Sequence, residues 1–128
     1  MIDHVSVAVS ELAASAAFYE MVLKPLGLVR IAEREGTIGF GKKYPEFWLN
    51  ARPEMGTSPD DTGSHICLRA PTREAVAIFY ERAIALGGRG DGEPGDRKAT
   101  VTTYFGAFIR DLDGNKIEAV TFPRTEAK

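Results

Sequence analysis

The sequence predicts an α+β fold made of two β-α-β-β-β modules, because one pattern occurs twice along its 128 residues. The first copy begins at His4 and reads HVSVAVSELAASAAFYEMVLKPLG. The second begins at His65 and reads HICLRAPTREAVAIFYERAIALGG. In both copies Phe-Tyr-Glu follows the histidine after 14 residues, and a Leu-Gly pair closes the unit. Histidine occurs only twice in the chain, once at the start of each copy, so chance is a poor explanation for the repeat.

Each copy predicts a strand followed by a helix. Apolar and polar residues alternate directly after each histidine, which is typical of a strand, and a 3.6-residue period follows. Ser10 and Thr72 are the predicted N-caps of the two helices, and glycines end both. Three β-like segments then complete each module, at residues 28–35, 37–41 and 46–51 in the first and 89–93, 101–110 and 116–122 in the second.

The length of the chain predicts a single domain over residues 1–128. The first module covers about 1–52 and the second about 64–123. Between them, residues 53–63 are rich in turn formers and predict a linker, and 124–128 form a short tail.

Composition excludes several classes of function. The net charge is −2 and no basic block occurs, so nothing favours binding to nucleic acid or to an anionic membrane. No apolar stretch approaches the roughly 20 residues of a membrane span, and the N-terminus lacks the pattern of a signal peptide. The single cysteine, Cys67, excludes an intramolecular disulfide, and a cytoplasmic location is therefore predicted.

Glu118 is the most unusual residue of the second module. It stands in a predicted strand between Ile117, Ala119 and Val120. A carboxylate in such a strand is costly to bury without a partner. We therefore expect a specific cationic partner for it.

Three stretches of the chain carry a family resemblance: DHVSVAVSELAASAAFYE, GSHICLRAPTREAVAIFYERAIALGG and YFGAFIRDLDGNKIEAV. They resemble the glyoxalase/bleomycin-resistance/extradiol-dioxygenase superfamily, whose members are also called vicinal oxygen chelate proteins. The resemblance covers nearly the whole chain and implies that the two modules form an open mixed-sheet barrel around a divalent metal. It implies that His4, His65 and Glu118 are the metal ligands. Two imidazoles and a carboxylate leave open coordination positions and suit Zn, Ni, Fe(II) or Mn.

One position departs from the glyoxalase I pattern. In the glyoxalase I pattern, the resemblance implies a fourth metal ligand, which is a carboxylate on the last strand of the first module. Alignment of the two modules puts Trp48 or Asn50 at that position instead. A glyoxalase-type proton shuttle is therefore not expected, and Trp48 suits an apolar wall or a stacking surface. Ser6 and Cys67 follow the two histidines by two residues and are expected to line the pocket with Trp48 and Asn50.

The resemblance implies a small oxygenated or aromatic metabolite as the substrate and leaves lyase or isomerase, ring-cleaving dioxygenase and thiol transferase chemistry open. Tyr104 is the candidate acid/base, since no third histidine exists. The alternative is a metal-free protein that sequesters a drug or metabolite, as bleomycin-resistance proteins do. Short members of the family are often homodimers, so His4 is expected to share a metal with His65 and Glu118 of a second copy.

Overall fold

The computed structural model describes residues 1–123 and confirms two modules of the predicted composition. The predicted tail, 124–128, lies outside the described residues. The first module contains β1 (Val5–Val9), α1 (Leu12–Val22), a 3₁₀ turn (Lys24–Leu26), β2 (Val29–Arg34), β3 (Thr37–Gly41) and β4 (Pro45–Ala51). The second contains β5 (Ile66–Arg69), α2 (Arg73–Ala85), β6 (Arg89–Lys98), β7 (Thr103–Arg110) and β8 (Lys116–Thr121). Neither helix is long and apolar enough, over these residues, to cross a membrane.

The two modules form separate four-stranded mixed sheets with the same topology. Their strand orders are β1-β4-β3-β2 and β5-β8-β7-β6. In each sheet the first strand pairs in parallel with the last, and the other pairs are antiparallel. The sheets stay open, so β1 and β5 each have one edge without a hydrogen-bonded strand in the described part of the chain.

Each helix covers one face of its own sheet and leaves the other face uncovered. Alternate strand residues such as Phe47, Leu49, Ile117 and Ala119 point to the helices and are fully or almost fully buried. The helices also contact each other, so the apolar residues of both modules form one core. The residues of opposite parity, Glu118 among them, therefore lie on the uncovered faces.

The two predicted helix caps had different outcomes. Thr72 caps α2 as predicted, because its Oγ1 accepts a hydrogen bond from the backbone N–H of Ala75 at 3.0 Å. The prediction for Ser10 was wrong, since α1 has Glu11 at its N-cap and no side-chain cap. Ser10 instead donates its hydroxyl to Asp113 Oδ1 at 2.6 Å and its N–H to Oδ2 at 3.1 Å. A charged carboxylate accepts a stronger hydrogen bond than a neutral acceptor does, which explains why the Ser10 hydroxyl binds the distant Asp113.

The turn between β7 and β8 holds the first module in place. Asp111 accepts the Tyr19 hydroxyl at 2.6 Å, Asp113 accepts from Ser10, and the Asn115 side chain donates to the Ala8 carbonyl at 2.9 Å. Gly114 adopts φ 89° and closes the turn. This short segment therefore fixes how the two sheets sit relative to each other.

Strand β6 is longer than the predicted segment 89–93 and continues to Lys98. Its register with β7 shifts between Gly90 and Gly92 and again between Gly92 and Gly95, so the strand carries bulges. It lies at the edge of its sheet, where Pro94 need not donate to a ladder. That edge position is the physical reason why a glycine- and proline-rich segment remains in the sheet.

Candidate metal centre

Glu118 is buried on the uncovered face of the second sheet. In the register it stands beside Cys67 of β5 and Phe108 of β7. Its neighbours in the chain, Ile117 and Ala119, point to the core under α2, so the strand alternation directs Glu118 to the other side. Only 4% of the residue is exposed. The cost of burying this carboxylate must be offset by the groups that surround it.

His65 is the closest of those groups. Its Nε2 lies 3.0 Å from Glu118 Oε1, and 41% of the His65 side chain is exposed. The imidazole ring also packs edge-on against Phe108, with 5.6 Å between the ring centroids. The Cys67 thiol and the Tyr104 hydroxyl are also close enough to the same carboxylate for its charge to act on both of them. Glu118 is thus the centre of a polar cluster contributed by three strands and the residue that precedes β5.

The spacing of the His65–Glu118 pair also fits two ligands of one ion. Imidazole nitrogens and carboxylate oxygens bind divalent transition metals at about 2.1 Å, so two such ligands at a right angle stand about 3.0 Å apart. That is the observed distance between Nε2 and Oε1. The donor set and its spacing therefore suit two of the positions of a divalent metal centre.

His4 lies apart from this pair. Its Nδ1 is 2.8 Å from Asp3 Oδ1, and 54% of its side chain is exposed. It lines a cleft of about 570 Å³ together with Trp48 and Asn50, whereas His65 lines a different cleft of about 450 Å³. Within residues 1–123 no three His, Cys, Asp or Glu side chains form a group that could hold a metal ion. One chain thus brings together two of the three predicted ligands.

The register of the first sheet identifies the counterpart of Glu118. Ser6 pairs with Trp48, as Cys67 pairs with Glu118 in the second sheet, so Trp48 takes the equivalent position. Asn50 stands two residues further along, and the Thr37 hydroxyl donates to its Oδ1 at 2.7 Å. The Arg34 guanidinium lies over the indole of Trp48, 5.5 Å from the ring centroid. The first module therefore has an aromatic surface where the second has a carboxylate.

The environment of Glu118 decides how two nearby groups ionise. Desolvation and the Glu118 carboxylate raise the pKa of Cys67 to about 12, although part of the side chain is exposed. The same two causes raise the pKa of the Tyr104 hydroxyl above its ordinary value. Both groups therefore remain protonated at neutral pH. Cys67 is therefore not suited to acting as a nucleophile, and Tyr104 is suited to donating a hydrogen bond.

Three residues beside the pair were not among the predicted site residues. Arg97 and Lys116 both lie against the ring of Phe108, at 5.4 and 4.8 Å from its centroid. Lys116 is two residues before Glu118, so strand parity alone places it on the same face. Phe108 and Arg97 required the pairing register, because β6 and β7 shift against each other at the bulges.

A family model matches residues 1–119 and is described as the glyoxalase/bleomycin resistance protein/dioxygenase superfamily. No curated protein sequence matches the chain significantly. Among solved structures, a glyoxalase/bleomycin resistance protein from Albidiferax ferrireducens is 30% identical with a TM-score of 0.84, and the match covers 94% of this chain and 98% of that one.

Two more distant structures share the fold. A glyoxalase/bleomycin resistance protein/dioxygenase family enzyme from Burkholderia phytofirmans is 20% identical, with a TM-score of 0.70 and coverage of 94% of this chain and 97% of the other. A mutant of the fosfomycin resistance protein FosX from Listeria monocytogenes, complexed with Mn(II) and 1S,2S-dihydroxypropylphosphonic acid, is 17% identical with a TM-score of 0.69, covering 100% and 95%. From the family match and the fold together, the chain belongs to the glyoxalase/bleomycin resistance protein/dioxygenase superfamily.

Proposed function

We propose that this protein is a metal-dependent enzyme that acts on a small metabolite through two neighbouring oxygen atoms of that substrate. The divalent ion would be held by His65 and Glu118 of one chain and by His4 of a second copy. The observation that carries the proposal is the buried Glu118 carboxylate with the Nε2 of His65 at 3.0 Å. A superfamily relative of the same fold that binds Mn(II) supports a metal of this type.

The proposal of a homodimer follows from the position of His4. Its side chain is more than half exposed and opens into its own cleft, so it is free to meet a second chain. Strands β1 and β5 also have open edges in the described residues. A two-fold symmetric dimer would then contain two identical shared sites. The free thiol of Cys67 supports a reducing compartment, and we place the enzyme in the cytoplasm.

The protein's own residues would bind and orient the substrate. A divalent ion at this donor set would supply Lewis-acid polarisation of the substrate oxygens. Tyr104, kept protonated by its surroundings, would donate a hydrogen bond to the substrate beside Glu118. Trp48 occupies the position in the first module that is equivalent to Glu118, so the first module supplies no second carboxylate for a proton transfer. This asymmetry favours lyase, isomerase or ring-cleaving dioxygenase chemistry other than that of lactoylglutathione lyase.

Metal binding tests the site directly. We expect the wild-type protein to take up about one Mn(II) per chain, measured by equilibrium dialysis and elemental analysis. His4→Ala, His65→Ala and Glu118→Gln are each expected to weaken Mn(II) binding by at least about 100-fold, because each removes a ligand. Asn50→Ala is the matched control, since Asn50 lies in the His4 cleft without being a proposed ligand.

Mixing variants tests whether the site is shared. A heterodimer of a His4→Ala chain and a Glu118→Gln chain has one doubly damaged site and one intact site. After unfolding and refolding an equal mixture, about one quarter of the wild-type Mn(II) content is therefore expected to return. No recovery, in dimers that refold and exchange, would show that each site is built within one chain.

A metal-free binding protein is the second candidate, and one observation favours it. The cleft of about 570 Å³ beside Trp48 and Arg34 offers an aromatic and cationic surface to a ligand without any metal. Metal content below about 0.2 equivalents after gentle purification, together with unchanged stability in His4→Ala, would favour this function over the enzyme.

A further inference from the structure

His65 lies just outside the strand ladder that fixes its neighbours. The ladder between β5 and β8 begins at Ile66, which pairs with Ile117, so His65 stands one position before it. Glu118, in contrast, lies within β8 and has a paired strand on each side. Ladder hydrogen bonds fix the backbone of a strand residue, and the residue before the strand lies outside that support. The position of His65 therefore depends on the linker that precedes β5.

Arg110 is a buried cation at this end of the second sheet. It pairs with Lys116 in the register of β7 and β8, and only 7% of it is exposed. It lines two clefts that His65 also lines, of about 450 and 220 Å³. A buried guanidinium is costly unless hydrogen-bond acceptors surround it. The acceptors around Arg110 therefore show which parts of the chain its charge holds together.

Each of the three guanidinium nitrogens of Arg110 donates to a different segment. Nε donates to Asp91 Oδ2 on β6 at 2.9 Å, and Nη1 donates to the Gly114 carbonyl at 3.1 Å. Nη2 donates to the backbone carbonyl of Asp60 in the linker. A guanidinium presents its donors in a rigid planar fork, so the bonds to Asp91 and Gly114 orient the nitrogen that holds Asp60. Arg110 thus ties the linker to β6 and to the turn between β7 and β8.

The contact with Asp60 is the buried tether of the linker that lies closest to His65. Only four residues separate Asp60 from the histidine. The linker has another tether further back, where the backbone N–H of Ser58 donates to the Asp113 carbonyl at 2.9 Å. Without the Arg110 contact, six residues would separate the histidine from that bond. A longer untethered segment has more conformations, so the position of its end is less well defined.

We propose that Arg110 is a positioning residue for His65, which holds the linker so that the imidazole stays beside Glu118 at the proposed metal position. The inference rests on the proposed function, because it takes His65 as a metal ligand. It adds a residue that acts on the site through the backbone of the linker. For this role Arg110 needs no contact with the metal or with the substrate.

Proton NMR of the full chain after EDTA treatment tests the position of His65 directly. The chain contains two histidines, so its imidazole signals come from His65 and His4 alone. The His65 ring centroid lies 5.6 Å from that of Phe108, so the ring current makes its resonance sensitive to small displacements. We expect Arg110→Lys to move the His65 resonance and to leave that of His4 in place. Lysine keeps the positive charge but lacks the planar fork that holds three acceptors at once.

Mn(II) binding is the second measurement. Arg110→Lys is expected to weaken it about tenfold, as is usual when a residue that orients a metal ligand is replaced. Arg89→Gln is the matched control, because Arg89 Nη2 also binds Asp60, at 3.0 Å from Oδ1, through an ion pair whose side chains are 60% and 83% exposed. Its replacement is expected to change Mn(II) binding less than about twofold and to leave the His65 resonance in place.

A role limited to stability would lower the melting temperature of Arg110→Lys without moving either readout, and that result would overturn the proposal. Where the wild type binds Mn(II), a change in only one of the two readouts, or equal effects of Arg89→Gln, would overturn it as well. Thermal melts verify folding. If Arg110→Lys does not fold, Asp91→Asn replaces it, since that change removes the charged acceptor that orients Nε, and the same two changes are expected.

The two proposals fail separately. Mn(II) uptake that is equal in the wild type and in Arg110→Lys would remove the positioning role and leave the metal centre. A wild-type protein that takes up no Mn(II), with a His65 resonance that still depends on Arg110, would remove the metal centre and leave Arg110 as the residue that positions His65.

Discussion

Replacing Tyr19 with phenylalanine removes one buried hydrogen bond that joins the two modules. The Tyr19 hydroxyl donates to Asp111 Oδ2 at 2.6 Å, and Tyr19 is fully buried in the core. Burial and the neighbouring Asp111 raise the pKa of the phenol well above its ordinary value, so it remains a donor throughout the neutral range. The change keeps the ring and deletes only the oxygen.

The expected cost is about 2 kcal/mol. A hydrogen bond to a charged group contributes about 1.5–3 kcal/mol, and Asp111 loses one of its partners in a buried place. Asp111 also accepts from the backbone N–H groups of Asp113 and Asn115, so it stays partly satisfied and the upper end of that range is not expected. With an unfolding entropy of about 2 cal/mol/K per residue, this cost lowers the melting temperature by about 7 °C for a chain of 128 residues.

The internal repeat supplies the matched control. Tyr80 stands on α2 at the position equivalent to Tyr19, its ring packs against Gly90, and its hydroxyl has no hydrogen-bond partner in residues 1–123. Tyr80→Phe is therefore expected to change the free energy of unfolding by less than about 0.5 kcal/mol. Urea unfolding followed by circular dichroism measures both variants. Equal effects of the two changes would refute the role assigned to the Tyr19–Asp111 bond.

Two further predictions follow from the ionisation of single groups. Because the pKa of Cys67 is raised to about 12, alkylation by iodoacetamide at pH 8 is expected to be at least about tenfold slower in the folded protein than in urea, and Glu118→Gln is expected to accelerate it. Partial desolvation raises the pKa of Asp91, but hydrogen bonds and charge from Arg110 and Lys116 outweigh this and lower it overall. Its contribution to stability is therefore present at pH 7 and lost as the pH falls through the lowered folded-state pKa. Asp91→Asn is expected to be less stable than wild type in urea unfolding at pH 7, with the difference narrowing as the pH is lowered into the acid range; a constant difference would contradict this.

Sequence patterns over short stretches of the chain were sufficient to predict the architecture. The repeated His-strand-helix pattern predicts two modules of the same topology, and both sheets have it. The alternation around Ile117, Glu118 and Ala119 predicts which side chain leaves the core, because strand side chains alternate with a period of two. These features depend on residues a few positions apart, and sequence contains that information directly.

Register and long-range partners were not available from the sequence. A period of two allows Trp48 and Asn50 equally as counterparts of Glu118, and only the pairing of Ser6 with Trp48 distinguishes them. Ser10 has the residue type of a helix cap, yet its hydroxyl binds Asp113 from the other module. No local pattern encodes a partner 103 residues away.

The sequence by itself therefore determined the two modules and the residue types able to bind a metal: two histidines and one carboxylate at the ends or on the uncovered faces of strands. The tertiary structure decided which of them meet. It brings His65 to within 3.0 Å of Glu118 and leaves His4 in a separate cleft, more than half exposed. The reason is physical, since the distance between two modules depends on how their helices and the turn at residues 111–115 pack, and local periodicity does not specify that packing.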